Sequence, residues 1–328
     1  MKGGGKVMSE SKSAALSGGT AGKQAKRSLT FKRSWQKYKC LYLLLLPGTV
    51  YLIIFKYLPM YGLSIAFQDY TVYDGVFNSP FVGLEKFHQL MSNQMFWQAF
   101  GNTVRISLLR LLFGFPAPIL FALLLNELAG RKFRRLVQSV SYLPHFISWV
   151  ILAGVLDVFI NNSNGVIMVA LRNMGFTQPD IMTSNKWFVP MLIVTGIYKS
   201  MGYGAIVYLA AITGVDPGLY ESAVIDGAGR FRLVWNITLP SIMPVICIMF
   251  ILNLGSILEG GFDQIFVLYN PMVYRTADII DTFVYRMGIV ASDYSIGAAA
   301  QFFKSIISML LIVAGNTAVK RMNQASLW

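Results

Sequence analysis

Six stretches of this chain, roughly residues 40–63, 98–126, 139–160, 187–212, 239–258 and 297–319, are each apolar over enough residues to cross a bilayer as a helix, which takes ~20. Runs such as 41–46 and 306–313 are continuous and do not alternate, so they read as helices and exclude a barrel. The composition agrees: 55% of residues are hydrophobic, 13% are charged and the mean hydropathy is +0.54, well outside the range of an ordinary water-soluble enzyme. The expected fold class is therefore all-α integral membrane, with six transmembrane helices.

Charge gives the orientation. The net charge of +13 is concentrated at the start, where residues 1–39 hold ten Lys/Arg against the single acid Glu10. That segment, up to about Thr30, is rich in Gly, Ser, Ala and Lys without apolar periodicity, so disorder is expected there. The proposed division is a disordered basic cytoplasmic tail over 1–36 and a transmembrane domain over 37–328. Basic loops resist translocation. Eighteen Lys/Arg in the tail, the 127–138 and 213–238 connections and the C-terminus face five on the other side. Both termini are thus expected in the cytoplasm, in a multi-pass plasma-membrane protein. The charge orients the chain and suits anionic membrane lipid; it does not indicate nucleic acid.

Catalytic and metal chemistry find little support. Cys40 and Cys247 cannot make a zinc site between them, and His88 and His145 have no ligand-type partner at metal spacing. Gly18-Gly19-Thr20-Ala21-Gly22-Lys23-Gln24 falls one residue short of a phosphate-binding loop and lacks the Ser/Thr after Lys. We expect no catalytic residues, no metal and no cofactor held by this chain. The first apolar run, near Leu41, has no small-residue cleavage site after it, so it is expected to stay as an anchor rather than leave as a signal peptide.

The connection at 214–240 carries its own helix signals. Asp216 is a suitable N-cap and Pro217 suits the first turn, while Gly227 and Gly229 can supply the backbone that ends the helix. Leu219, Ala223 and Val224 share one face, and a small amphipathic helix of this kind can dock in a partner's groove. Glu221-Ser222-Ala223, three residues, Gly227, nine residues, then Ile237-Thr238-Leu239-Pro240 resembles the EAA motif of binding-protein-dependent ABC importer permeases. Ser222 departs from the usual Ala, but both are small.

Further segments extend the resemblance: Tyr57-Leu58-Pro59-Met60-Tyr61-Gly62, Phe81-Val82-Gly83-Leu84-Glu85-Lys86-Phe87, Asn102-Thr103, Phe113-Gly114-Phe115-Pro116-Ala117-Pro118, Ser141-Tyr142-Leu143-Pro144-His145-Phe146 and Phe266-Val267-Leu268-Tyr269-Asn270-Pro271. They are similar to the LplB-type polysaccharide and oligosaccharide permeases, within the carbohydrate-uptake group that includes the maltose importer. The resemblance implies the MetI-like permease fold. It implies a heterodimer with a second permease, two ATPase subunits that bind ATP and magnesium, an extracytoplasmic solute-binding protein and a saccharide substrate. It also implies a coupling helix at 216–229, with Glu221, Ala223, Asp226 and Gly227 against the ATPase and Ile237, Leu239 and Pro240 fixing the joint to span five.

For the substrate path, polar groups within spans are the candidates, because burying them in hydrocarbon is costly unless they pair or line a wet cavity. Asn253, Ser256 and Glu259 recur at i, i+3 and i+6 toward the outer end of span five, and Lys199 and Tyr203 stand at i and i+4 on span four. The competing reading has Arg105, Arg110, Lys199 and Lys304 snorkelling, pairing with Asp157 or Glu259, or stabilising a dimer. Gly196, Gly202 and Gly204 in span four suggest close helix packing. An ion- or proton-coupled secondary transporter is the alternative function, although it leaves the 214–240 motif unexplained.

Overall fold

The computed structural model describes residues 31–176 and 180–321. The expected disorder over residues 1–30 lies outside them. The chain divides at Tyr61 into two compact units, Met1–Tyr61 and Gly62–Trp328.

In the first unit α1, Phe31–Leu52, carries Pro47 and a non-helical kink at Tyr38. Residues 31–36 thus belong to this helix, although they were expected in the tail. From Tyr38 to Tyr61 no residue of this unit is buried, as suits a helix whose solvent is lipid.

In the second unit, α2 (Gln94–Leu109) runs on into α3 (Pro116–Glu127). Next come α4 (Arg131–Phe146), α5 (Trp149–Ile160) and α6 (Phe188–Thr213). They are followed by α7 (Pro217–Ile225), α8 (Leu239–Gly255), α9 (Phe262–Leu268), α10 (Ile280–Val284) and α11 (Tyr294–Arg321). Among the described residues there is no strand, only an isolated antiparallel bridge between Gln68 and Phe81.

Three of the spans share one irregularity. The π-helical turns Ile53–Tyr57, Arg110–Gly114 and Val234–Thr238 each end two residues before a proline, namely Pro59, Pro116 and Pro240. In each, the residue just before the proline donates its N–H five residues back, to the carbonyl of Ile53, Arg110 or Val234. Proline lacks an N–H and clashes with the carbonyl four residues earlier, and one wide turn accommodates both effects without ending the helix.

The expectation of six similar spans needs correction at 139–160. Five helical stretches are long and apolar enough to cross, and α4 with α5 makes a sixth only when taken together across a 102° bend. Pro144 lies in the last turn of α4, and the Ser148 hydroxyl caps α5 by accepting from Ile151 N at 3.3 Å. A proline beside an N-cap residue is a stop signal followed at once by a start.

Helix α6 is the hub, packing against α3, α4 and α8. Ala122, Ala205, Tyr208, Ile212 and Ile242 form one apolar cluster along it. A Cβ added to Gly202 would lie 2.0 Å from the Ser141 carbonyl oxygen of α4, and one added to Gly204 would lie 3.1 Å from Pro118 of α3. Such close backbone approach is the main source of attraction between helices in lipid, where burial alone gains little.

Candidate functional site

Two features stand out, the 214–240 connection and a cavity lined by residues of several spans. In the connection, Asp216 Oδ1 accepts from Gly218 N at 2.9 Å, which caps α7. The helix stops where Gly227 turns left-handed, at φ +80. There Gly227 N bonds Val224 O at 3.0 Å and Ala228 N bonds Ala223 O at 2.9 Å, so the last carbonyls are satisfied. Gly229, the other expected stop, is extended at φ −75 and instead precedes the short helix Arg230–Leu233.

Leu219, Val224 and Ile225 are exposed on α7, as are Glu221, Asp226 and Gly227, whereas Ala223 is half-buried. Ile237 and Leu239 are half-buried at the head of α8, with Pro240 exposed in its first turn. The Tyr220 hydroxyl meets the buried Thr238 hydroxyl at 3.0 Å. A single side-chain bond therefore joins the middle of α7 to the start of α8.

The cavity, of about 680 Å³, is lined by Asn253, Ser256 and Glu259 together with Arg110, Asp281 and Lys304. A smaller one of about 390 Å³ shares Arg110, Trp149 and Asn253 with it and reaches Lys199. The expected polar stripe therefore faces one space, though not on one helix: α8 ends at Gly255, and Glu259 belongs to the separate turn Ile257–Glu259. Gly260 and Gly261 follow with φ +60 and +76. A Cβ on Gly261 would lie 1.9 Å from Arg110 Nη1, so glycine is needed there for space as well as for conformation.

The intramembrane cations have partners other than those expected. Arg110 Nη2 donates to Gln264 Oε1 at 2.6 Å, and Gln264 Nε2 in turn donates to Leu192 O at 2.9 Å and Thr195 Oγ1 at 2.8 Å. Lys304 Nζ bonds both carboxylate oxygens of Asp281, at 2.6 and 2.8 Å, with both side chains largely buried. Asp157 instead accepts from Asn161 at 2.8 Å. The Glu259 carboxylate lines the cavity without a hydrogen bond or ion pair among the described residues. Arg105 is exposed.

Lys199 closes the break between α4 and α5. Its ammonium donates to the carbonyls of Pro144 at 3.2 Å and His145 at 2.9 Å, and also to that of Ile147. They lie at a helix C-terminus, where Pro144 O also accepts from Ile147 N at 3.3 Å and where a cation is favoured by the free carbonyls and the dipole. One turn further on, Tyr203 stacks on His145 with centroids 4.0 Å apart and planes 4° apart. Of the two span-four candidates, Lys199 thus borders the smaller cavity, whereas Tyr203 clamps the end of α4.

Residues 114–326 match the family model described as the binding-protein-dependent transport system inner membrane component. The chain belongs to this family. The permease is 42% identical to Protein LplB of Bacillus subtilis (strain 168) over 309 residues, covering 94% of this chain and 96% of that protein. It is 39% identical to the polygalacturonan/rhamnogalacturonan transport system permease protein YteP of the same organism, covering 93% and 95% of the two chains. Among solved structures it resembles a chain of a bacterial alginate ABC transporter, crystallised in complex with an alginate pentasaccharide-bound periplasmic protein. The TM-score is 0.83 at 40% identity, covering 90% of this chain and 100% of that one. These findings bear out the permease family expected from the 214–240 motif.

The permease also uses residues that the sequence did not single out as a site. Buried Asp278 receives two bonds from Arg286, at 3.0 and 2.7 Å, and one from Thr282 at 2.8 Å. The bond to Asp278 pushes the Arg286 guanidinium above its already high value despite burial, so this cation stays charged at physiological pH. Asn102 bonds the carbonyls of Arg275 and Asp278, and the Thr103 hydroxyl accepts from Ile280 N at 2.9 Å. The Asn102-Thr103 pair thereby pins the 275–280 segment to α2.

Lys199→Ala should leave the His145 and Ile147 carbonyls at the break without their donor, while Pro144 O keeps its bond from Ile147 N at 3.3 Å. With bonds to a charged group worth about 1.5–3 kcal/mol each, and water able to replace some of them, the expected loss of stability is about 3 kcal/mol. Thermal unfolding of the detergent-purified permease measures it. An unchanged midpoint would mean that the break does not depend on Lys199.

Proposed function

We propose that this permease is one of two homologous membrane subunits of an ATP-driven importer in the plasma membrane, with both its termini in the cytoplasm. An extracytoplasmic solute-binding protein delivers an oligosaccharide released from a polysaccharide, and alternating access moves it inward. Two partner ATPase subunits bind ATP with magnesium and hydrolyse it. The observation that carries this reading is the 216–240 joint: a capped helix with an exposed apolar face, tied through Tyr220 and Thr238 to the head of a span. A push on α7 would reach α8 with little slack. Glu221, Ala223, Asp226 and Gly227 would meet the ATPase, while Ile237, Leu239 and Pro240 hold the joint.

Support for the saccharide comes from the relatives, whose names refer to polygalacturonan/rhamnogalacturonan transport and to alginate. The lining of the cavity suits such a solute, because Asn253, Ser256 and Glu259 offer bonds to hydroxyls and Arg110 offers a planar cation to a carboxylate. Reconstitution with both permeases, the ATPase pair and the binding protein tests the reading by uptake of labelled uronic-acid and neutral oligosaccharides. Uptake should require both ATP and binding protein. Accumulation driven by an ion gradient with the ATPase absent would instead point to a secondary transporter.

A further inference from the structure

Residues 68–93, between the end of the first apolar stretch at Phe67 and the start of the second at Gln94, are turned inside out for a loop in water. Several of their polar groups bond one another. Asp69 N donates to Pro80 O and Val82 N to Phe67 O, both at 2.9 Å. Gln68 Nε2 reaches Val76 O at 3.0 Å, Ser79 Oγ reaches Gly75 O at 2.6 Å, and Thr71 Oγ1 reaches Asp74 Oδ2 at 2.6 Å. Lys86 pairs with Asp69 at 2.6 Å. Five apolar side chains of residues 72–84 point outward: Val72, Tyr73, Phe77, Phe81 and Leu84 are 62%, 100%, 86%, 76% and 68% exposed, whereas Leu90 further on is buried. So many internal bonds hold these rings out by construction rather than by looseness. In water, so much exposed apolar surface within 13 residues would be costly.

The level of the patch is set by where spans end. Tyr294, the first residue of α11, meets Tyr70 edge-on at 5.7 Å, and the neighbouring Ser295 hydroxyl accepts from Tyr70 N at 3.0 Å. Phe81 stacks on Phe67 at 6.5 Å, and Phe67 meets Phe302 of α11 at 5.6 Å. One ring cluster therefore continues from the first turns of a membrane span out to the patch. Aromatic side chains gather at this depth, where a ring can sit among acyl chains with its polar edge in the headgroups.

We propose that residues 72–84 seat in the headgroup–acyl boundary of the bilayer. The 68–93 connection then lies along the membrane surface and anchors the outer ends of α2 and α11, leaving its apolar patch unavailable to the solute-binding protein. The test uses the full chain with its partner subunits in phosphatidylcholine–phosphatidylglycerol vesicles. On a Cys40→Ser, Cys247→Ser background, nitroxide labels are placed through Tyr73→Cys and Phe77→Cys, with Val72→Cys should either fail to insert. Gln89→Cys, at an exposed position of the helix Glu85–Ser92, serves as the water-facing control. Collision with oxygen should exceed collision with a water-soluble nickel complex several-fold at 73 and 77, with the reverse at 89, and addition of binding protein should change neither. Nickel-dominated collision at 73 and 77 would overturn the proposal. So would labels that are immobilised only when binding protein is added, which would make the patch a protein-docking surface.

Discussion

Gly227→Asp should give a permease that is made and inserted in normal amounts but no longer supports ATP-driven uptake. Nothing lies within 4 Å of a Cβ built on Gly227, so steric collision does not block folding. The backbone there is left-handed, at φ +80, a conformation that Asp tolerates better than most residues, at about 1 kcal/mol. What changes is the surface. A carboxylate would project beside exposed Asp226 from the turn that ends α7, and a partner seated there would have to desolvate it or face its charge. Gly227→Ala adds the strain without the charge and should retain a large part of the uptake. The measurements are membrane abundance, uptake and the stimulation of ATP hydrolysis by loaded binding protein, in the same vesicles. Normal uptake by the Asp variant would remove α7 from the coupling path, and equal losses in both variants would assign the effect to the turn itself.

The largest effect on stability is expected from Lys304→Met. Asp281 and Lys304 expose only 12% and 11% of their side chains, so removing the cation leaves a buried carboxylate without compensation, a change that costs about 3–5 kcal/mol. Because a buried pair replaced as a whole by apolar residues is often neutral, the double variant Asp281→Leu, Lys304→Met should recover most of the loss. Thermal midpoints of the purified single and double variants decide the matter. A double variant as unstable as Lys304→Met alone would mean that Lys304 is held by packing rather than by Asp281.

The parts of this fold legible in the sequence are those fixed by neighbours along the chain. Uninterrupted apolar runs mark the spans because a helix in lipid closes all its backbone bonds within itself. Asp216, Pro217 and Gly227 delimit α7 through bonds over two to five residues. The polar stripe 253–259 stood out because its residues interrupt an apolar run. Features that depend on distant groups could not be read. Pro144 gave a local hint of the bend, but its cap comes from Lys199, 55 positions later. Arg110 and Gln264 are separated by 154 positions, so the partner of that guanidinium was open to any acid or amide in the bundle. Tyr220 lay within the motif, yet its link to Thr238 exists only once the chain turns back at Gly227.

The bend between α4 and α5 also bears on how the chain is made. Helix α5 has 12 residues, a length of about 18 Å at 1.5 Å per residue, against a hydrocarbon thickness of ~30 Å. It cannot cross alone, and α4 begins with the cationic run Arg131, Lys132, Arg134 and Arg135, which holds that end at the surface. While residues 131–160 are leaving the ribosome, the ammonium that will satisfy the carbonyls of Pro144, His145 and Ile147 has not yet been synthesised. The break between α4 and α5 can therefore be closed by Lys199 only once α6 has been made.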